Sequence, residues 1–140
     1  HLNKDNIMKL GPLQQEWVNA LRSGKYKQGK DRLRKNDSYC CLGVACEIFK
    51  EKFGITVEIP DSLDSGYYYN EMTTYLPNIL VQRLHFYSST GRNCFHENSM
   101  HDLCKVKNLS DTLNDQCGLT FEQIATIIEL YPECFFKESV

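Results

Sequence analysis

No apolar run in this 140-residue chain approaches the roughly 18 residues of a membrane-spanning helix. No basic-then-apolar leader precedes the first helical pattern, so a secretory signal is not expected. Heptads, internal repeats and low-complexity linkers are missing, which excludes coiled-coil and solenoid architectures. Glycine loops of the P-loop or dinucleotide-binding kind are missing too. The cysteines, seven in all, lack the even count and the leader of an extracellular disulfide framework. Free cysteines behave as small buried hydrophobes, so an intracellular chain with reduced thiols is expected.

What is present is ordinary for one globular unit, with 41% hydrophobic and 24% charged residues. Residues 1–12 close on Gly11-Pro12 and read as a flexible tail or an expression remnant, with His1 set aside. Residues 13–140 read as a single globular domain.

Charge is unevenly spread. From Arg22 to Lys35 there are seven bases (Arg22, Lys25, Lys27, Lys30, Arg32, Arg34, Lys35) against Asp31 alone. That local excess of +6 leaves −8 for the remainder of a chain whose net charge is −2. Such asymmetry favours an anionic partner at the basic stretch; the plainer alternative is a solvated hairpin.

Hydrophobic periodicity predicts helices near 13–23, 41–53, 77–84 and 120–130. Leu13, Trp17, Ala20 and Leu21 recur at helical spacing before Gly24, and Trp17 reads as a core anchor. Residues 41–53 are apolar nearly all round, as in a buried helix, with Gly43 where a neighbour could approach closely. Pro77 suits a first helical turn, and Thr120 with Gln123 forms a capping box beside a Leu119–Ile124 staple. Short strands are expected near 31–41, with Leu33 inward between Arg32 and Arg34, and near 55–59, where Ile55, Val57 and Ile59 alternate. Tyr67, Tyr68 and Tyr69 read either as a binding platform or as a strand packed on both faces. The expected fold is a compact α+β domain of about four helices and a few short antiparallel strands.

The strings W-V-N-A-L-R-S-G-K-Y-K-Q-G at Trp17–Gly29 and Y-C-C-L-G-V-A-C-E at Tyr39–Glu47 carry a resemblance. So do Leu76-Pro77, Leu113-Asn114-Asp115, and Phe121 through Ala125 with Ile128-Glu129. Together these segments resemble a family of small proteins encoded by bacteriophages and prophages. The resemblance implies a phage accessory protein in the cytoplasm of an infected bacterial cell. It implies no established chemistry. Residues 85–108, richer in Cys and His, depart from the family pattern.

Cys94, His96, His101 and Cys104 are zinc-type ligands within eleven residues, but their spacing lacks paired C-x2-4-C and H-x3-5-H hooks. Cys40 beside the bases could act as a nucleophile only with a distant His85, His96 or His101 as base, and a buried structural thiol is the simpler reading. Asp111, Asp115 and Glu129 are the carboxylates open to a hydrolytic reading; Asn114 and Asp115 are also ordinary turn formers.

The leading expectation is therefore non-catalytic binding that counteracts a host process. The chain would sequester a small phosphate-bearing nucleotide signal or occlude the acidic surface of a host protein. Arg32 and Arg34 would grip phosphate, Lys25 and Lys30 would add charge, and Tyr26 or the Tyr67, Tyr68, Tyr69 run would stack on a base. No cofactor and no membrane partner are expected, and homo-oligomerisation stays open. Two alternatives are a metal-assisted hydrolase of nucleotides or nucleic acid through residues 94–104, and a DNA- or RNA-binding regulator.

Overall fold

The structure, a computed structural model, describes residues 8–62, 65–90, 114 and 118–140. Helix α1 spans Pro12–Arg22, α2 Cys41–Phe49, α3 Asn78–Leu84 and α4 Phe121–Leu130, followed by a 3-10 turn at Pro132–Cys134. Five two-residue strands complete the fold: β1 (Lys27–Gln28), β2 (Arg34–Lys35), β3 (Ser38–Tyr39), β4 (Val57–Glu58) and β5 (Tyr68–Tyr69). The domain is α+β, as expected, with helices close to the predicted places. None of the described helices is long and apolar enough to cross a membrane.

Helix α1 packs against α2 and α4. Trp17 is fully buried where they meet, edge-on to Phe86 at 5.3 Å and to Phe136 at 6.2 Å between ring centroids. Its indole N–H donates to the Cys41 carbonyl at 2.9 Å, which satisfies the one polar atom that burial would strand. Gln14, also fully buried, sews the ends of the chain together. Its amide donates to the Leu84 and Glu138 carbonyls at 2.9 and 2.8 Å, while its oxygen accepts from the Gly11 and Val140 N–H groups.

Strands β2 and β3 pair antiparallel around the two-residue turn at Asn36-Asp37, with Asn36 in the left-handed region (φ 56°). Leu33 is fully buried, as the alternation predicted. The pairing of β1 is different: it lies parallel to β3, giving the sheet order β1-β3-β2. A parallel partner was not legible because the intervening residues carry no periodic crossover signal. The second sheet, β4 with β5, is antiparallel. It is shorter than predicted on the 55–59 side. Ile55 is buried, but Ile59 is 75% exposed, because pairing ends at Glu58 two residues before Pro60.

Helix α2 sits unusually close to the chain before β2. A β-carbon added to Gly43 would lie 1.7 Å from the Leu33 carbonyl oxygen. The Cys40 N–H donates to the same oxygen at 3.2 Å, so the helix start and the strand entry share one contact point. The C-C-L-G-V letters are thus a packing device.

Candidate functional site

Among the described residues, three of the seven clustered bases lie within ion-pair distance of a carboxylate. Arg22 binds Glu129 and lies 3.5 Å from Glu122, and it donates to the Thr126 hydroxyl at 3.0 Å, which ties α1 to α4. Lys27 pairs loosely with Asp37 at 3.9 Å, both side chains about 70% exposed, a contact of little energetic weight. Arg34 is the most enclosed of the seven, its side chain only 23% exposed. Lys25, Lys30, Arg32 and Lys35 remain exposed, and the Arg32 guanidinium meets only the carbonyl of the adjacent Asp31.

Arg34 lies in a ladder of rings. Its guanidinium carbon is 4.1 Å from the Tyr67 ring centre and 5.1 Å from that of Tyr39, and Tyr39 meets Tyr26 edge-on at 5.4 Å. The guanidinium Nε donates to the Asn36 carbonyl at 2.9 Å, and a further donor reaches the Tyr69 hydroxyl. Arg34 also faces Glu47 at 3.9 Å. Burial opposes the Arg34 charge, yet the surrounding tyrosine oxygens outweigh it and hold its pKa above the ordinary value. Burying a cation requires compensation, and for Arg34, expected from the sequence to grip a phosphate, tyrosine faces and a carboxylate provide it within the fold.

Glu47, on α2, anchors the base of the ladder. It accepts from the Lys50 ammonium at 2.6 Å and from the Tyr69 hydroxyl at 2.9 Å. Burial pushes its carboxyl up, but these two hydrogen bonds and the Lys50 and Arg34 charges prevail, leaving it below the ordinary value of 4.5. A depressed carboxyl contributes stability that is fully present above the unfolded value and lost as pH falls through the folded one. Glu129 behaves alike, chiefly through its hydrogen bond from Gln15 and then through Arg22. Stability should accordingly decline as pH falls below the ordinary value of 4.5. Urea titrations between pH 7 and 3 should show Glu47→Gln with a flatter acid limb; an unaltered slope would contradict this role.

The three tyrosines do not form one platform. Tyr69 is fully buried, Tyr68 is 39% exposed on the opposite side of the strand, and Tyr67 is half-buried over Arg34. The run forms a strand only at Tyr68–Tyr69, and packed on one face rather than both: Tyr69 packs inward and Tyr68 meets solvent. Arg32 approaches the same loop through its aliphatic stem, within 2.8 Å of where a β-carbon on Gly66 would lie.

Lys25 and Tyr26 belong to a separate groove of about 270 Å³ between α1 and α2. Half-buried Ala20, Tyr26 and Ile48 form its floor; exposed Glu16, Asn19, Ser23 and Lys25 form its rim. Of the sequence-selected residues, the structure thus joins Arg34 to Tyr67, brings Arg32 to the loop that carries Tyr67 and Tyr68, places Lys25 and Tyr26 in this groove, and leaves Lys30 exposed.

Sequence reasoning missed Gln28 and Asn114. The Gln28 amide donates to Asn114 Oδ1 and to the Leu119 carbonyl, both at 2.8 Å, and its oxygen accepts from the Phe121 N–H at 3.1 Å. Asn114, fully buried, donates to the Gly29 carbonyl at 2.8 Å. The Q-G of one motif and the asparagine of the L-N-D motif therefore meet, 85 positions apart, at the start of α4. A glutamine following alternating bases gave no sign of this.

The Cys94, His96, His101 and Cys104 cluster and the Asp111 and Asp115 pair lie outside the described residues. Among the described residues, no group of three or more Cys, His, Asp or Glu is arranged to hold a metal ion. Cys40, Cys41 and Cys46 are buried thiols; burial, with Cys40 next in effect, pushes the Cys46 thiol well up, away from the nucleophilic thiolate. Cys134 is disulfide-bonded, which departs from the expectation of reduced thiols throughout.

No curated protein and no solved structure gives a significant match to the chain. A family model matches residues 9–132, nearly the whole of the fold described above, including the Gln28–Asn114 junction and the Gly43 contact. The chain belongs to the family Domain of unknown function (DUF8296).

Proposed function

We propose that this chain is a non-catalytic binding protein that occludes an acidic surface of another protein with its basic hairpin and tyrosine ladder. It is, on this reading, a phage-encoded accessory protein directed against a host protein. One observation carries the choice: Arg34 is committed between Tyr39 and Tyr67, while Lys30, Arg32 and Lys35 project from the hairpin. The small-nucleotide version has Arg32 and Arg34 grip phosphate, whereas the Arg34 charge already faces Glu47 and two tyrosine rings. A preorganised file of Tyr and Arg rimmed by exposed bases is instead the composition of a protein-binding hot spot, with little side-chain entropy left to lose. Exposed bases on the rim accelerate encounter and select the sign of the partner.

Selection of displayed random peptides against the intact chain tests the reading. Acidic peptides should be enriched, and Lys30→Glu combined with Arg32→Glu should abolish or reverse that preference. Enrichment blind to charge overturns the proposal. Calorimetry with cyclic dinucleotides, ADP-ribose and a single-stranded oligonucleotide should show no binding; binding that disappears in Arg32→Ala would favour the phosphate reading instead.

A further inference from the structure

The groove between α1 and α2 adds a second element to this surface. Glu16, Asn19 and Ala20 on α1 and Ser23 at its C-terminal cap follow one another at helical spacing, a stretch of about 10 Å. Across from them stands Ile48 of α2, half-buried and in contact with the core. The rim carries the charges of Glu16 and Lys25 with the polar Asn19 and Ser23 between them in sequence, over a floor of Ala20, Tyr26 and Ile48. Lys25 makes no ion pair with another described side chain. Tyr26 both lines the groove and meets Tyr39, so the groove adjoins the Tyr26–Tyr39–Arg34–Tyr67 ladder.

We infer that this groove receives a large apolar side chain of the partner, flanked by an acidic residue that pairs with Lys25. The inference rests on the protein-binding reading above and specifies the peptide chemistry it requires. Charge alone favours encounter but gives little lasting affinity, because exposed ion pairs are weak. Lasting affinity needs an apolar anchor removed from water inside a ring of polar contacts. The half-buried floor of Ala20, Tyr26 and Ile48 offers that place, and it adjoins the ladder. A nucleotide suits the groove poorly: the Glu16 carboxylate repels phosphate, and the Tyr26 ring is held edge-on to Tyr39.

The same display selection distinguishes this inference from the reading beneath it. Enriched peptides should carry a Leu, Phe or Trp next to an Asp or Glu, and a synthetic version should bind the intact chain about tenfold more tightly than its apolar-to-Ser counterpart. Ala20→Gln, which lengthens a side chain on the floor, should shrink that ratio to less than about twofold. Thermal melting should show Ala20→Gln still folded, and Lys25→Glu supplies a second variant that removes the preference for the acid without filling the groove. Acidic peptides with no apolar preference, or a ratio unchanged by Ala20→Gln, would overturn the groove assignment and leave the binding reading standing. Selection that ignores charge altogether would overturn both.

Discussion

Gly43→Ala is expected to destabilise the protein by on the order of 3 kcal/mol or more, a large fraction of the stability of an ordinary domain. The added carbon would lie 1.7 Å from the Leu33 carbonyl oxygen and 2.6 Å from its carbon, both backbone atoms that no rotamer change can move aside. Relief requires α2 to withdraw from the chain before β2, breaking the Cys40–Leu33 hydrogen bond and exposing a fully buried face that includes Leu33, Leu42 and Cys46. Alanine has the higher helix propensity, by about 1 kcal/mol. Local preference therefore predicts a gain and tertiary contact predicts a larger loss. A urea melt decides between them, and a midpoint equal to or above wild type would refute the packing account of C-C-L-G-V.

Gln28→Ala should have the next largest effect, a loss of about 2–4 kcal/mol. It removes three hydrogen bonds at once and leaves the Asn114 oxygen, the Leu119 carbonyl and the Phe121 N–H without that partner in a partly buried setting. Asn114→Ala alone should also destabilise, through its bond to the Gly29 carbonyl. The double variant should cost less than the sum of the two by more than about 0.5 kcal/mol, because each single change strands atoms that the other would remove. Strict additivity would show that the two motifs do not share a network.

The helices were legible because their signals are local. Thr120 and Gln123 form the capping box that their spacing announced, with Thr120 Oγ1 accepting from the Gln123 N–H and Gln123 Oε1 from the Thr120 N–H. Trp17 and Leu33 were legible as core because alternation and periodicity report burial directly. The site was only partly legible. Arg32 and Arg34 are alike in sequence and occupy the same basic run, yet one is exposed and the other is enclosed by Tyr39, Tyr67 and Glu47. The difference arises from residues 5 to 33 positions further along, and no local pattern encodes it. The same holds for Gln28, whose partners lie beyond position 113.

That distinction between two neighbouring arginines is the centre of the functional reading, and it can be measured directly. Arg32→Ala and Arg34→Ala should be compared side by side for thermal stability and for affinity toward an acidic peptide selected on the wild-type chain. Arg34→Ala removes the centre of the ladder and a positive charge facing Glu47, so its Tm should fall by several degrees, corresponding to about 1–2 kcal/mol. Arg32→Ala should keep the wild-type Tm and weaken peptide binding about two- to fivefold, mainly through slower association. If Arg32→Ala binds as wild type does, or if Arg34→Ala keeps full stability, the assignment of one arginine to scaffold and the other to recognition is wrong.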